Sequence, residues 1–315
     1  MVTALAFTSA ACGGDDDKKG KSANGLEKTT LTVGAMPVTD DAPLQIAVQK
    51  GLFKAEGLDV KLETIAGGAD AIPKLKGGAL DISFGNFVSF LGASSKGVLD
   101  VRFVAEGFQS APGTHAVLVP KDSPITSVKD LVGKKIAVNT KRNISTLLIR
   151  ATLEPSGISL DDDKNFVEMP FPAMEAAIKA KSVDAVQAVE PFVTQLQQSV
   201  GARVLTDLSQ GPTADFPIAG YATSAAFAEK NPKTVAAFQR ALAKGQAMAA
   251  DKQVVQAVLP SYTKITTEVA ATLSYGAFPT TLSATRLQRV ADVMQQYGYL
   301  TTKIDVKSLL ISGTS

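Results

Sequence analysis

The stretch GGALDISFGN at 77–86 recurs in altered form as AKSVDAVQAVEP at 180–191. In both stretches an apolar helical pattern ends, and small or polar residues follow. A hydrophobic residue and an aspartate, Asp81 or Asp184, then precede an apolar run that is typical of a buried strand. A chain with this recurrence is predicted to contain two lobes of one α/β architecture.

Strands alternate with helices in both halves of the chain. TLTVGA (30–35) alternates as a strand does, and the apolar spacing after Asp41 predicts a helix that ends near Gly51. The rhythm restarts at KKIAVNT (134–140). Such alternation favours a mostly parallel sheet flanked by helices in each lobe. The part from SAAFAEK onward is mostly helical and should pack on a lobe that is already formed.

The composition excludes several classes of function. Thirty-two basic residues balance 30 acidic ones, so nucleic acid is not expected as a partner. One histidine (His115) and one cysteine (Cys12) permit neither an internal disulfide nor a usual zinc site. SYTK (261–264) matches Ser-x-x-Lys without its companion motifs, and no phosphate-binding glycine motif occurs. We therefore expect no cofactor, no metal and no enzymatic activity.

The N-terminus resembles the end of a secretory signal. The apolar stretch MVTALAFTSAAC is too short to span a bilayer, and its small residues before Cys12 resemble a lipobox. Residues 1–12 are assigned to this signal, and 13–28 to a disordered polar tether. The interpretation is a lipoprotein anchored outside the cell membrane through Cys12. A signal that is simply cleaved, or an ordinary N-terminus with an incidental cysteine, are the alternatives.

Several longer stretches carry a resemblance to a known family. They are APLQIAVQKGLFKAEGLDV (42–60), LKGGALDISFGN (75–86), SVKDLVGKKIAV (127–138), VDAVQAVEPF (183–192) and NPKTVAAFQRAL (231–242). The chain resembles substrate-binding proteins of ABC importers, in the subfamily that binds aliphatic sulfonates, nitrate or taurine, and thiamine pyrimidines. Lys181 departs from this family, which usually has glycine there.

The resemblance implies a type II periplasmic-binding-protein fold with a hinge between two lobes. Lobe 1 would comprise 29–117 plus 218–315, and lobe 2 would comprise 118–217. The chain would cross between the lobes near 117–124 and 213–220, and two such crossings permit closure around a ligand.

The same resemblance implies an extracytoplasmic solute-binding component that acts as a monomer with an ABC permease and its ATPase. Its solute would be a small organic anion or zwitterion: a sulfonate, a taurine- or nitrate-like compound, a pyrimidine or an aromatic acid. Two alternatives remain open. One is an enzyme of this fold, of the pyrimidine synthase or desulfinase type, and the other is a ligand-sensing receptor domain.

Ligands of open α/β sheets bind at the carboxyl ends of the strands. The loop NTKRNIST (139–146) follows a strand and begins a helix, whose N-terminus favours an anion. Arg142 is expected to hold the anion in a bidentate contact, with donors from Thr140, Ser145 and Thr146. The alternative is that Asn143 or Thr140 only caps the helix and Arg142 is solvated.

Other candidate ligand-binding residues follow other strands. Asp40 could bind an amine or a ring N–H, whereas Asp41 is also well placed as a helix N-cap. Glu190 lies at a strand end of lobe 2, with a surface role as the alternative. Phe87 and Phe171 are expected as aromatic walls of the pocket, with a place in the core as the alternative for each. Gly68 and Asn86 are expected in the loops beside it.

Overall fold

The structure is a computed structural model that describes residues 25–311. The predicted signal at 1–12, its Cys12 and the larger part of the predicted tether lie outside the described residues. The same holds for the last four residues, 312–315.

The described chain forms two five-stranded sheets. The strands are β1 (Thr30–Ala35), β2 (Asp59–Thr64), β3 (Ile82–Asn86), β4 (Val101–Gln109), β5 (His115–Val119), β6 (Ile136–Val138), β7 (Phe166–Glu168), β8 (Ala185–Val189), β9 (Arg203–Asp207) and β10 (Pro217–Ser224). Their orders are β2-β1-β3-β10-β4 and β7-β6-β8-β5-β9. In each sheet four strands share one direction, and β10 or β5 runs against them. The predicted mostly parallel sheets are confirmed.

The recurring aspartate has the same structural role in both sheets. The Asp81 backbone N–H donates to the Thr32 carbonyl at 2.9 Å, and its carboxylate accepts the Thr32 N–H at 2.9 Å. Asp184 makes the same two bonds with Lys135, each at 2.8 Å. In each lobe the side chain therefore fixes the register between the first and third strands, which explains why the two stretches look alike.

Helices cover both sheets. They are α1 (Ala42–Gln49), α2 (Leu52–Ala55), α3 (Gly68–Gly77), α4 (Phe87–Ser95), α5 (Ile144–Leu153), α6 (Asp162–Asn165), α7 (Met174–Lys179), α8 (Phe192–Val200), α9 (Ala225–Lys230), α10 (Pro232–Ala249), α11 (Lys252–Val258), α12 (Thr267–Thr272) and α13 (Ala284–Gln296). The C-terminal part is helical, as predicted. Its longest helix, α10, packs on α1 and α2 of lobe 1, where Phe238 stacks on Phe53 with ring centroids 5.0 Å apart.

The last residues of the predicted tether are part of the fold. The Glu27 carboxylate accepts the backbone N–H groups of Lys233 and Thr234 at 3.2 and 2.9 Å, at the start of α10. The Lys28 ammonium pairs with the Asp81 carboxylate at 2.7 Å. The assignment of residues 27–28 to a disordered tether is therefore wrong, because both residues have fixed partners.

Helix α7 ends in a left-handed residue that is not glycine. Lys181 has φ 55°, and its counterpart in lobe 1 is Gly78, with φ 75°. The next amide, Ser182 N–H, donates back to the Ala177 carbonyl at 3.1 Å and completes the helix cap. The cap geometry is kept at Lys181, at the strain of about 1–2 kcal/mol that a side chain adds in this region.

The two chain crossings between the sheets lie side by side. The first connects β4 to β5, and the second connects β9 to β10. They are bonded to each other: Ser110 N–H donates to the Phe216 carbonyl at 2.9 Å, and Phe216 N–H donates to Ser110 Oγ at 3.0 Å. The first crossing comes earlier than predicted, because 115–117 already pair with β8 and β9 as part of β5.

One connected set of buried apolar side chains extends through both lobes, and a smaller set lies among α1, α10, α11 and α12. The covering helices thus share the core of the sheets on which they pack. Within residues 25–311, no helix has the length and apolarity to cross a membrane.

Candidate functional site

A small cavity lies between the two lobes, at the carboxyl ends of the strands. Its volume is about 50 Å³, which is room for roughly three to five water molecules. Lobe 1 and the strand β10 contribute Met36, Val38, Asp40, Gly67, Phe84, Asn86, Ile218 and Ala219 to its walls. The residues from β5 through β8 and their loops are His115, Asn139, Ile144, Ser145, Leu148, Phe171, Gln187 and Val189.

The lobes touch each other around this cavity. The Thr39 backbone N–H donates to the Glu190 carbonyl at 3.2 Å, and the single proton of the Thr39 hydroxyl is shared between this carbonyl, at 3.2 Å, and the Asp40 carboxylate, at 3.1 Å. On another side, Asn143 Nδ2 donates to Ser89 Oγ at 2.8 Å. These contacts join loops that follow β1 and β8, and helix starts that follow β3 and β6. The structure is therefore a closed form, in which a bound solute would be surrounded by both lobes.

Two of the larger depressions have volumes of about 590 and 550 Å³, and the second shares only Phe171 with the cavity. The first lies beside Gln109 and Arg286, and the second beside Phe192 and Tyr262. Neither brings together polar side chains from the carboxyl ends of both sheets. The interlobe cavity does, and we therefore take it as the candidate site.

Four of the predicted site residues line the cavity: Asp40, Asn86, Ser145 and Phe171. Asn86 also caps α4, since its Oδ1 accepts the Ser89 N–H at 2.8 Å. The Phe171 ring stacks on Phe192 with centroids 5.5 Å apart, which fixes it as a flat apolar wall.

Arg142 lies away from the cavity. Its side chain is 63% exposed and pairs with the Asp162 carboxylate at 3.2 Å. The guanidinium also lies 5.7 Å from the centre of the Tyr299 ring. The backbone of Arg142 is left-handed, with φ 49°, and this turns the side chain outward. The structure therefore does not support Arg142 as the anion clamp and agrees with the alternative of a solvated residue.

The hydroxyls expected to assist Arg142 are also occupied elsewhere. Thr146 Oγ1 accepts the Asn143 N–H at 3.0 Å and the Tyr299 hydroxyl at 2.7 Å, as part of the α5 cap. Thr140 Oγ1 donates to Asn139 Oδ1 at 3.3 Å. Neither threonine lines the cavity, whereas Ser145, the chain neighbour of Thr146, does.

Asp41 and Glu190 are buried, but their carboxylates bond to other parts of the fold and do not line the cavity. The Asp41 carboxylate accepts the Met36 N–H at 3.1 Å and the Tyr221 hydroxyl at 2.9 Å, and it makes no N-cap bond. Glu190 Oε1 accepts the Ser274 N–H at 3.1 Å, which adds a further bond between the lobes. The expected N-cap role of Asp41 is thus wrong, and a surface role for Glu190 is excluded by its burial.

Phe87 and Gly68 also lie behind the cavity wall. Phe87 is fully buried against Phe103, with ring centroids 5.3 Å apart. A Cβ at Gly68 would lie 2.8 Å from the Ser89 side chain, so this position allows α3 and α4 to approach closely. Its neighbour Gly67 is the glycine that lines the cavity.

Asp40 is the acidic group of the cavity. It is 5% exposed, and its carboxylate accepts the Thr39 hydroxyl at 3.1 Å and its own backbone N–H. Burial raises the pKa of Asp40 to about 7, and the nearby Glu190 adds to this rise. A hydrogen-bond donor or a cation beside Asp40 would favour its ionised form.

Three polar lining residues were not among the predicted ones: His115, Asn139 and Gln187. Burial lowers the pKa of His115 to about 3, so its ring is neutral at physiological pH. Gln187 had a usable signal, because it is the single polar residue in the apolar strand run AVQAV. Among residues 25–311, no three His, Cys, Asp or Glu side chains gather to hold a metal ion.

Comparisons with known proteins give a consistent result. The family model "NMT1/THI5 like" matches residues 38–254. The chain is 30% identical over 203 residues to the nitrate import ATP-binding protein NrtC of Synechocystis, covering 59% of this chain and 30% of that protein. It is 26% identical to the nitrate/nitrite binding protein NrtA of Nostoc, covering 70% of this chain and 54% of that one. The chain thus spans between about a third and just over half of these relatives.

Solved structures share the fold at low sequence identity. The alkanesulfonate-binding protein SsuA from Xanthomonas axonopodis has a TM-score of 0.76 at 20% identity, over 90% of this chain and 98% of that one. The nitrate-binding protein NrtA from Synechocystis gives 0.73 at 18% identity, over 90% and 85%. The desulfurization enzyme DSZB gives 0.67 at 18%, over 90% and 96%.

Proposed function

The chain belongs to the NMT1/THI5-like family, and from that premise we propose that it is the solute-binding component of an ABC importer. The observation that carries this proposal is the cavity lined by both lobes at the carboxyl ends of both sheets. A protein that captures a solute between two lobes needs such a site and a hinge. The two crossings bonded through Ser110 and Phe216 provide the hinge.

The named relatives support the same role. A nitrate/nitrite binding protein and an alkanesulfonate-binding protein are among them. Such a component would work outside the cytoplasm, as a monomer, and would hand its solute to a permease coupled to an ATPase. Its tether would begin at residue 13 and end before Leu26, which is buried in the core, and a lipid on Cys12 would hold it to the membrane. Lobe 1 would comprise the first sheet with the C-terminal helices, and lobe 2 the second sheet.

A binding role fits the chemistry of the site better than the enzymatic alternative. The desulfurization enzyme among the structural neighbours shows that this fold can support catalysis. In this chain His115 is a weak base at neutral pH, because burial lowers its pKa to about 3. The single cysteine of the chain is Cys12, outside the described residues. The cavity residues thus offer hydrogen bonds and apolar walls rather than an activated nucleophile.

A bulky side chain introduced between the lobes, by the substitution Gly67→Leu, tests the proposal. A Cβ at Gly67 would lie 3.0 Å from Asn139 Oδ1, on the opposite lobe, and its extended backbone suits any residue. Gly67→Leu should therefore fold normally but fail to close. The matched control is Gly92→Leu, in a helix where a Cβ would meet nothing within 4 Å.

The readouts are thermal stability and small-angle scattering with a panel of small sulfonates, nitrate, amines, amides and heterocycles. A bound solute should raise the melting temperature and shrink the radius of gyration of wild type and Gly92→Leu. Gly67→Leu should show neither effect. If no compound stabilises or contracts the wild-type protein, the solute-binding function is refuted. If Gly67→Leu responds as wild type does, the cavity is not the site.

A further inference from the structure

Helix α13 is fixed to lobe 1 at its start. The Glu106 carboxylate on β4 is 2% exposed, and it binds the Arg286 guanidinium through Nε and Nη2, each at 2.9 Å. It also accepts the backbone N–H of Ser283, the N-cap of the helix, at 2.6 Å. The helix packs on α4 and β10 of the same lobe. A bidentate charged contact of this kind sets position as well as energy, so α13 moves with lobe 1.

The middle of α13 bonds to the second chain crossing. The Arg289 guanidinium donates to the carbonyls of Pro212 and Ala214 at 2.8 and 2.9 Å, and it lies 5.3 Å from the centre of the Phe216 ring. Phe216 is the residue that bonds to Ser110 of the first crossing. The helix therefore passes beside both crossings before it ends.

Two tyrosines at the end of α13 contact lobe 2. The Tyr299 hydroxyl donates to Thr146 Oγ1 in α5 at 2.7 Å, and the Thr146 proton is donated to the Asn143 carbonyl at 3.0 Å. The Tyr297 hydroxyl donates to the carboxylate of Glu154, directly after α5. We call Tyr297 and Tyr299 the clasp. Both lie on a helix of one lobe and bond to side chains of the other.

Lobe 1 contacts the start of α5 from two directions. The Asn143 side chain bonds to Ser89 in α4, and Thr146, which accepts the Asn143 N–H, bonds to Tyr299 after α13. A hinge rotation that separates Asn143 from Ser89 also moves Thr146 away from Tyr299, because Thr146 and Asn143 form one helix cap. Of the described residues that line the cavity, none belongs to the clasp. The clasp can therefore form without a solute.

We propose that Tyr297 and Tyr299 hold the two lobes together in the solute-free protein, so that the closed form is partly populated before a solute binds. The inference rests on the hinge of the proposed function, and it places a determinant of affinity outside the cavity. The apparent affinity of a solute that binds only the closed form is proportional to the closed fraction. The clasp would thus scale the affinity for every solute by the same factor. Arg142 contacts the Tyr299 ring from the surface, where solvent weakens its contribution.

Spin labels on the two lobes measure the closed fraction without any solute. Lys76, at the end of α3, and Lys129, which precedes β6, are exposed and lie at the ends of the lobes away from the cavity. Labels on Lys76→Cys and Lys129→Cys, in a full-length Cys12→Ala background, should give two distances, one of which matches this closed structure. Tyr299→Phe should lower the ratio of closed to open protein by about two- to tenfold, as expected for the net contribution of one hydrogen bond. Adding Tyr297→Phe should lower the ratio further.

Two control variants separate closure from general stability. Tyr275→Phe removes a tyrosine hydroxyl that donates to the Ala270 carbonyl at 2.5 Å, within the C-terminal part of lobe 1. It should leave the ratio of closed to open protein unchanged. Thr146→Ser keeps the oxygen that accepts the Tyr299 proton, so it should give the wild-type ratio.

The label distances decide the inference independently of solute binding. If the solute-free wild type shows only the open distance, the inference is overturned and the solute-binding function stands. The same holds if Tyr299→Phe leaves the ratio unchanged, or if Tyr275→Phe lowers it equally.

Calorimetry supplies a second readout with the panel of sulfonates, nitrate, amines, amides and heterocycles. Each compound that binds the wild type should bind Tyr299→Phe more weakly, by one common factor. Factors that differ between compounds would show that Tyr299 acts on the solute and not on closure, which overturns the inference. If no compound binds the wild type, the proposed function fails, and the label distances still decide whether the clasp closes the protein.

Discussion

Replacing Asp40 by asparagine should stabilise the folded protein at alkaline pH. Asp40 is buried, and its pKa rises from an ordinary value of 3.8 to about 7. The folded state therefore holds this proton more tightly than the unfolded chain does, and stability falls as the pH rises from about 4 to about 7. Once the group is ionised, the burial costs the folded state about 4 kcal/mol. An asparagine side chain at this position would have the same shape without this cost.

Urea unfolding at several pH values measures the effect. Asp40→Asn should exceed wild type in its free energy of unfolding by up to about 4 kcal/mol near pH 8 and by little near pH 4. The loss of the charged bond from the Thr39 hydroxyl reduces this gain. Asp130→Asn is the control with the opposite sign, because backbone N–H groups of Thr126 and Ser127 lower the pKa of that exposed carboxyl.

The reasoning is refuted if the difference between wild type and Asp40→Asn is the same near pH 4 and near pH 8. A constant difference would mean that Asp40 is hydrated in the folded protein and titrates as it does in the unfolded chain.

Three further outcomes are expected. Lys181→Gly should raise the free energy of unfolding by about 1 kcal/mol, and Gly78→Lys should lower it by about 1–2 kcal/mol, because both positions are left-handed. Urea unfolding measures both changes, and a change of the same sign in the two variants would contradict the equivalence of the two caps. Cys12→Ala should release the protein from the membrane fraction, and a wild type already soluble and unmodified at Cys12 would refute the anchor. Arg142→Ala should change affinity for any solute by less than about threefold, since its side chain is 63% exposed on the surface; a tenfold loss in calorimetry would return Arg142 to the site.

The fold was predictable because its signals are local. Alternating strands, glycine-ended helices and the paired Asp81 and Asp184 are each readable within a short stretch. The family resemblance then supplied the lobe order, which periodicity alone cannot give. The exact crossing points were missed, since a strand such as β5 has the same apolar pattern whichever sheet it joins.

The site was predictable in its loops and only partly in its side chains. The loops at the carboxyl ends contribute Asp40, Asn86, Ser145 and Phe171 to the wall of the candidate cavity. Arg142 was misplaced because a left-handed backbone turns its side chain away, and sequence does not reveal that φ. His115 belongs to a strand of the opposite lobe, so its place at the cavity depends on long-range pairing.

Strands β5 and β10 connect the two lobes, because each lies in the sheet formed mainly by the other half of the chain. Counted in fives along the chain, β1–β5 and β6–β10 are two units, and each unit places its fifth strand inside the other's sheet. During synthesis the first sheet therefore stays open between β3 and β4 until residue 224 has been made. An isolated first unit would therefore leave β5 without its partner strands and would leave a gap between β3 and β4. Neither sheet is complete until both units have been made, so the two lobes depend on each other to fold.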